Sequence, residues 1–134
     1  MKVNEAGPLA ELTALYGAYE AALMADDVAA LAGFFWEHDL VRRYALGVNS
    51  YGHQSITAAR QARRAEDRTL EATLITTYGD DLGTADTEFT RTATGRRGRQ
   101  TQTWVRFDEG WRIVSAHVSW LDEPAWPTNE GGAQ

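Results

Sequence analysis

The chain has no cysteine, which removes disulfides, thiol nucleophiles and cysteine-ligated metals. Its three histidines, His38, His53 and His117, stand far apart without paired ligand spacing, so no metal site is expected. No phosphate-cradling glycine loop follows a strand, no G-x-S-x-G elbow occurs, and no dinucleotide fingerprint is present. No cofactor is therefore expected, and any catalysis must come from acid–base and anion-binding side chains. No apolar run approaches the roughly 20 residues that span a bilayer. The first residues, Met1-Lys2-Val3-Asn4-Glu5, lack the basic-then-apolar shape of a signal peptide. Acidic residues outnumber basic ones, 19 to 13, for a net charge of −6, which argues against nucleic acid or anionic membrane as partner. A soluble cytoplasmic protein is the expectation.

What is present fits one domain. At 134 residues, 43% hydrophobic and 24% charged, the chain can build one core and no second. The domain is expected over 1–123, with 124–134 as a loosely held tail containing Pro124, Pro127, Gly131 and Gly132, which Trp126 could dock on a neighbour. The second half organises the rest. Turns at Gly79-Asp80-Asp81-Leu82-Gly83, Gly95-Arg96-Arg97-Gly98 and Asp108-Glu109-Gly110 separate four proline-free segments, Leu70–Tyr78, Thr84–Thr94, Arg99–Phe107 and Trp111–Leu121. Rich in Thr, Val, Ile and aromatics, these read as an antiparallel meander. Strands of this length curl, and the concave face must be filled.

The first half supplies the filling. Pro8 to Met24 reads as a helix with Leu12, Leu15, Tyr16, Tyr19 and Leu23 as its apolar stripe; Tyr19, in mid-stripe, needs a partner for its phenol whether it packs in the core or lines a cavity. Asp26 or Asp27 caps a short helix through Phe35, whose end Phe34-Phe35-Trp36 is expected to plug the sheet. Leu40 to Leu46 reads as a strand. Side chains alternate along a strand, so Arg42 and Arg43 point to opposite faces, and one enters the interior if that face is covered. A buried guanidinium requires an anion or carboxylate to meet it. A third helix, about His53 to Ala65, packs Ile56 and Ala59 inward and leaves Arg60, Arg63 and Arg64 as a solvated basic face.

The turns also imply a register: Tyr78 opposite Thr84, Gly95 opposite Gly98, Phe107 opposite Trp111. One face then carries Leu70, Leu74, Tyr78, Glu88, Val105, Phe107, Trp111, Ile113 and His117. The other carries Glu71, Ile75, Phe89, Arg91, Gln102, Trp104, Val114, Ala116, Val118 and Trp120. Glu71, Arg91 and Gln102 are expected to satisfy one another, leaving Glu88 and His117 as the polar pair in want of partners. With both faces apolar, a sheet-to-sheet homodimer is expected.

Helix, short helix, strand, a helix opening at Tyr-Gly, then a long meander resembles the nuclear-transport-factor-2-like (NTF2-like), or SnoaL-like, cone fold. The expected class is α+β, a cone-shaped curved antiparallel sheet enclosing three N-terminal-half helices, the NTF2-like/cystatin-like roll. Within that superfamily, Leu31–Trp36 with Arg43, Asn49-Ser50-Tyr51-Gly52, Ile56, Arg60, Thr76-Thr77-Tyr78-Gly79, Thr87-Glu88-Phe89, Gly98–Phe107 and Trp111–Ser119 resemble the AtzH-like and oxalurate-catabolism (HpxZ-like) proteins. The resemblance implies a cofactor-independent decarboxylating amidohydrolase of compact carboxylated urea-like anions, working beside an amidase. By position it makes Tyr19 and Arg43 the catalytic pair: Arg43 would bind a carboxylate and Tyr19 donate a hydrogen bond or proton. His117, Glu88, Asn49 and Tyr51 are the substrate-binding candidates. The chain departs from the family pattern at Tyr44-Ala45 and at Val48, where an acid is usual. Two other functions stay open: a SnoaL-like cyclase, isomerase or dehydratase, marked by an apolar cavity, and a non-catalytic dimeric accessory protein, marked by a closed interior around Tyr19.

Overall fold

The computed structural model describes residues 1–121 and contains three helices and one six-stranded sheet. The tail expected over 124–134, with Trp126, lies outside the described residues. In chain order the elements are α1 (Ala6–Met24), α2 (Val28–Phe34), β1 (Arg42–Ala45), β2 (Val48–Tyr51), α3 (His53–Ala62), β3 (Arg68–Tyr78), β4 (Leu82–Arg91), β5 (Arg97–Phe107) and β6 (Gly110–Trp120). The sheet order is β2-β1-β6-β5-β4-β3, antiparallel throughout except where β1 runs parallel to β6. It is curved and unclosed, with the helices in its concave face. No helix among the described residues is long and apolar enough to cross a membrane.

The first two helices form where the sequence patterns place them, and the third ends at Ala62, short of the expected Ala65. On α1 the stripe Leu12, Tyr16, Tyr19 and Leu23 is buried, and Leu15 packs at its margin. Asp27 is the cap of α2, its Oδ1 accepting from the Ala30 N–H at 3.1 Å. Asp26, beside it, takes φ +52°, a left-handed turn that Asp tolerates and that ends α1. Phe35 is buried, Phe34 packs edge-on against Tyr19 and Trp104, and Trp36 stacks on Phe107. These rings plug the deep end of the cup. The free edge of β3 is covered at one end, where Asn4 N–H donates to Thr77 O and Thr77 N–H to Asn4 Oδ1, both at 2.9 Å.

The register differs from the expectation at all three hairpins: Tyr78 faces Leu82 and not Thr84, Phe107 faces Gly110 and not Trp111, and the middle hairpin is shifted as well. Between β4 and β5, Thr90 faces Arg97 and Phe89 faces Gly98, so residues 91–96 form a longer turn and Gly95 does not face Gly98. The reason is the close approach at Gly98: a Cβ there would lie 2.4 Å from Phe89 Cζ, so only glycine lets that buried ring lie across β5. In β6 a bulge shifts the pairing between Thr103↔Ser115 and Trp104↔Ile113. Trp111 and Ile113 therefore join Ala116 and Val118 on the buried face instead of opposing them. A second bulge, between Leu70 and Ala72, leaves Glu71 exposed and out of any network with Arg91 and Gln102. Gln102 instead accepts from Trp104 Nε1 at 2.9 Å.

Because Phe89 is hemmed in, Gly98→Ala is expected to destabilise the protein by about 1–3 kcal/mol, the usual range for overpacking a filled core. Urea unfolding of this variant beside Gly95→Ala, whose Cβ meets nothing within 4 Å although its φ is +72°, separates ring displacement from backbone strain.

Candidate functional site

Alternation along β1 decides which arginine enters the cup. Arg43 pairs with Ala116, a residue of the buried face, and Tyr44 with His117 on the outer face. Arg42 turns outward: its Nη1 donates to Asp39 O at 2.8 Å and Val41 O at 3.1 Å, and its guanidinium lies over the Tyr51 ring. Arg43 points inward and lines a pocket of about 90 Å³ between α3, the 63–67 segment and the sheet. No hydrogen bond or ion pair to Arg43 forms among the described residues. Burial, and then the positive charge of Arg60, pull its guanidinium from the usual range down to about 10, the Tyr19 phenol opposing them.

Arginines dominate the wall: Arg43, Arg60, Arg63, Arg64, Arg68 and Arg91, with Glu66 the one acidic lining residue among the described residues. Their charges are not equally available. Arg68 is neutralised, its Nε and Nη2 bonding Glu20 at 3.0 and 2.7 Å while it lies 4.6 Å over the Phe89 ring. Burial is the largest influence on the Arg68 pKa and lowers it, but the bonds and the charge of Glu20, with smaller help from Tyr19 and Tyr16, together raise it overall. Arg64 pairs with Asp26 at 3.3 Å and Arg91 with Glu66 at 3.0 Å. Arg60 Nη2 donates to the Tyr19 hydroxyl oxygen at 3.2 Å, which leaves its charge uncompensated, and its buried Nε has no partner. At the inner end, then, Arg43 and Arg60 present two positive charges with no carboxylate. The buried amide nitrogen of Gln100, Nε2, is likewise unpartnered. Donors without acceptors are what a wall shaped for an oxyanion contains.

Tyr19 is 1% exposed and does not line the pocket itself; it reaches the pocket through Arg60. The neighbouring Tyr16 hydroxyl bonds Thr87 Oγ1 at 2.5 Å, and burial, partly offset by that bond, pushes its pKa up to about 12. Tyr16 stays a neutral phenol that braces the ring of Tyr19, 6.0 Å away.

The other four candidates lie elsewhere. His117 is exposed on the outer face against Tyr44, because the β6 bulge brings its neighbours Ala116 and Val118 inward. Glu88 is exposed opposite Arg99 on the same face. Asn49 and Tyr51 sit exposed on the edge strand β2. None of these four lines the Arg43 pocket. Conversely, Arg60, Arg63 and Arg64 are not simply a solvated helix face: α3 ends at Ala62 and not near Ala65, Arg63 is extended, and Arg60 in the last turn and the two arginines that follow the helix all line the pocket. The tyrosine–arginine spacing across 41 residues gave no local sign of this.

A family model described as AtzH-like matches residues 1–124. The chain belongs to the AtzH-like family. A protein of unknown function from the DUF3225 family of Pectobacterium atrosepticum is 51% identical over 90% of this chain and 95% of its own, with a TM-score of 0.86. A cystatin-like fold protein from Burkholderia xenovorans is 38% identical over 92% and 99%, with a TM-score of 0.88. An NTF2-like superfamily protein of Salmonella enterica, 19% identical over 88% and 94% with a TM-score of 0.74, shares the fold alone. No curated protein matches. This AtzH-like chain thus has the NTF2-like architecture, with its cystatin-like curved sheet, that the sequence resemblance implied.

Proposed function

We propose that this AtzH-like protein acts, without a cofactor, on a compact carboxylated urea-like or amide anion held in the Arg43 pocket. The observation that carries the reading is the pair of uncompensated guanidinium groups, Arg43 and Arg60, at one end of a small cavity. Its volume, about 90 Å³, falls well below the roughly 300–1,000 Å³ of drug-sized sites, which favours a molecule of few heavy atoms. Arg43 grips a carboxylate in a two-pronged bond. Tyr19 stands behind the wall, its hydroxyl oxygen accepting from Arg60, so its proton serves the ligand only once Arg60 turns from the phenol to the bound anion. In an N-carboxylated urea the step is simple: the nitrogen takes a proton, the carbon–nitrogen bond breaks with its electrons going to nitrogen, and carbon dioxide leaves. Positioning and one donor suffice. The arginine-rich wall does not favour the apolar cavity of a cyclase or isomerase.

Carbon dioxide release from N-carboxylated urea by the purified protein is the test. Tyr19→Phe is expected to lower kcat by about 10²–10⁴-fold, the usual worth of a placed proton donor, with KM little changed. A second reading, a binding protein without turnover, is favoured by the near-complete burial of Tyr19. Binding without product, unaltered in Tyr19→Phe, selects it. A homodimer through the outer face, where Leu74, Tyr44 and Leu82 are exposed, is part of the proposal and is read by sedimentation.

A further inference from the structure

Gln100 is the one uncharged polar side chain lining the pocket among the described residues; the rest of the wall is apolar, cationic or, at Glu66, acidic. Its neighbour decides which way the amide faces. A guanidinium has donors and no acceptor, so the contact from Arg68 Nη1 at 3.4 Å meets the amide oxygen Oε1 and not the nitrogen. Arg68 is itself fixed, its Nε and Nη2 held by Glu20 at 3.0 and 2.7 Å. The amide cannot turn over without setting donor against donor. Its Nε2 therefore faces away from Arg68, buried and without a partner. With Gln100 only 4% exposed, bulk solvent does not satisfy that donor.

Gln102, two residues further along β5, is pinned in the same way: Trp104 Nε1 donates to its Oε1 at 2.9 Å, and its Nε2 has no partner. It does not line the pocket, which leaves Gln100 to meet a ligand there. The register sets Gln100 across the sheet from Arg43. Arg43 pairs with Ala116 on β6, and Gln100 pairs with Val118, the next residue on that face. β1 and β5 thus flank β6, roughly 10 Å apart across the strands. Their side chains enter the same cavity of about 90 Å³ from two sides.

We propose that Gln100 is a specificity-determining residue, its amide N–H donating to a neutral carbonyl oxygen of the ligand while Arg43 holds the carboxylate. The pocket then selects a carboxylate joined to an amide or urea carbonyl over one with an alkyl group in that place. The guanidiniums take the charged oxygens, and the uncharged carboxamide takes the neutral one. A site built round a hydrogen bond rejects the analogue that cannot make it, because the site's own buried donor is then left unpaired. The inference rests on the reading of the Arg43 pocket as an anion site.

Calorimetric titration with oxamate and with propionate tests it, using wild type, Gln100→Met and Gln100→Glu. Each ligand carries one carboxylate; oxamate has an amide carbonyl where propionate has a methylene. Wild type is expected to bind oxamate at least about tenfold more tightly than propionate. Gln100→Met fills similar space without a donor and leaves Arg68 its Glu20 bonds, and its preference for oxamate is expected to fall below about threefold. Gln100→Glu keeps an oxygen for Arg68 and puts an acceptor where the donor stood. It too is expected to lose the preference, while its charge weakens both ligands. No preference in wild type, or a preference that survives either substitution, overturns the role of Gln100 and leaves the anion site standing. Wild type that binds neither ligand removes the anion site, and the role of Gln100 falls with it.

Discussion

Replacing Arg43 by methionine is expected to do two opposite things: end anion binding and raise the melting temperature of the ligand-free protein. The guanidinium sits in the cup without an acidic partner, held down to about 10 by burial first and Arg60 second. A shift of that size corresponds at most to about 3 kcal/mol at 1.36 kcal/mol per unit, and partial solvent access reduces it. A gain of about 1–3 kcal/mol is expected when a similar-volume apolar chain takes its place. For a domain of this length that is roughly 3–10 °C. The sign with pH follows from linkage. Arg43 titrates lower in the folded protein than in the unfolded chain, so its cost is fully present below about pH 10 and fades as the pH rises towards the unfolded value. The advantage of Arg43→Met is therefore expected in full at pH 7 and to shrink in alkaline melts. A variant less stable than wild type at pH 7 would mean that the charge has a partner and that the site is structural.

The second large effect has the opposite sign. Glu20→Ala is expected to cost about 3–5 kcal/mol, the penalty for stranding a buried charge. Arg68 is the charge concerned: its side chain is 4% exposed, it donates two bonds to Glu20, and its remaining polar contact is with Gln100 Oε1 at 3.4 Å. The fall in melting temperature is expected to be about 10–20 °C. Glu20→Ala/Arg68→Met is expected to regain most of it, because the double variant no longer buries an unpaired ion. Thermal unfolding of both variants is the check, and a loss under about 1 kcal/mol in the single variant would contradict the distinction between a paired and an unpaired arginine. That distinction is the basis of the functional reading. Two guanidiniums enter the same cup from opposite strands; one has a resident carboxylate, and the other is the one proposed to receive a ligand's.

Much of this could be read before the fold was known. The Arg42-Arg43 pair forces one cation inward on any covered strand, and β1 is such a strand. The α1 stripe placed Tyr19 in the interior, and the glycine-rich turns marked the meander. What escaped depends on distances along the chain that no local pattern encodes. His117 looked like an interior residue because Trp111 and Ile113 were counted on its face, and one extra residue in β6 reverses that count. Arg60, Arg63 and Arg64 read as a solvent face because helix periodicity separates apolar from charged sides but does not say that the cup's mouth lies over the charged one. Arg68 and Glu20 are 48 residues apart, and Arg91 and Glu66 meet only where two turns converge. Gly98 is the exception in the other direction, a turn glycine by sequence whose actual duty is to make room for Phe89.

The most direct test of the central claim is calorimetric titration of oxalate into wild type and Arg43→Met at low salt. One-to-one binding by wild type, weakened by about hundredfold or more in Arg43→Met, is the expected result for truncating one partner of a buried charge pair. Equal affinity in the two proteins, or no binding to wild type, would contradict the assignment of Arg43 as the group that receives the anion.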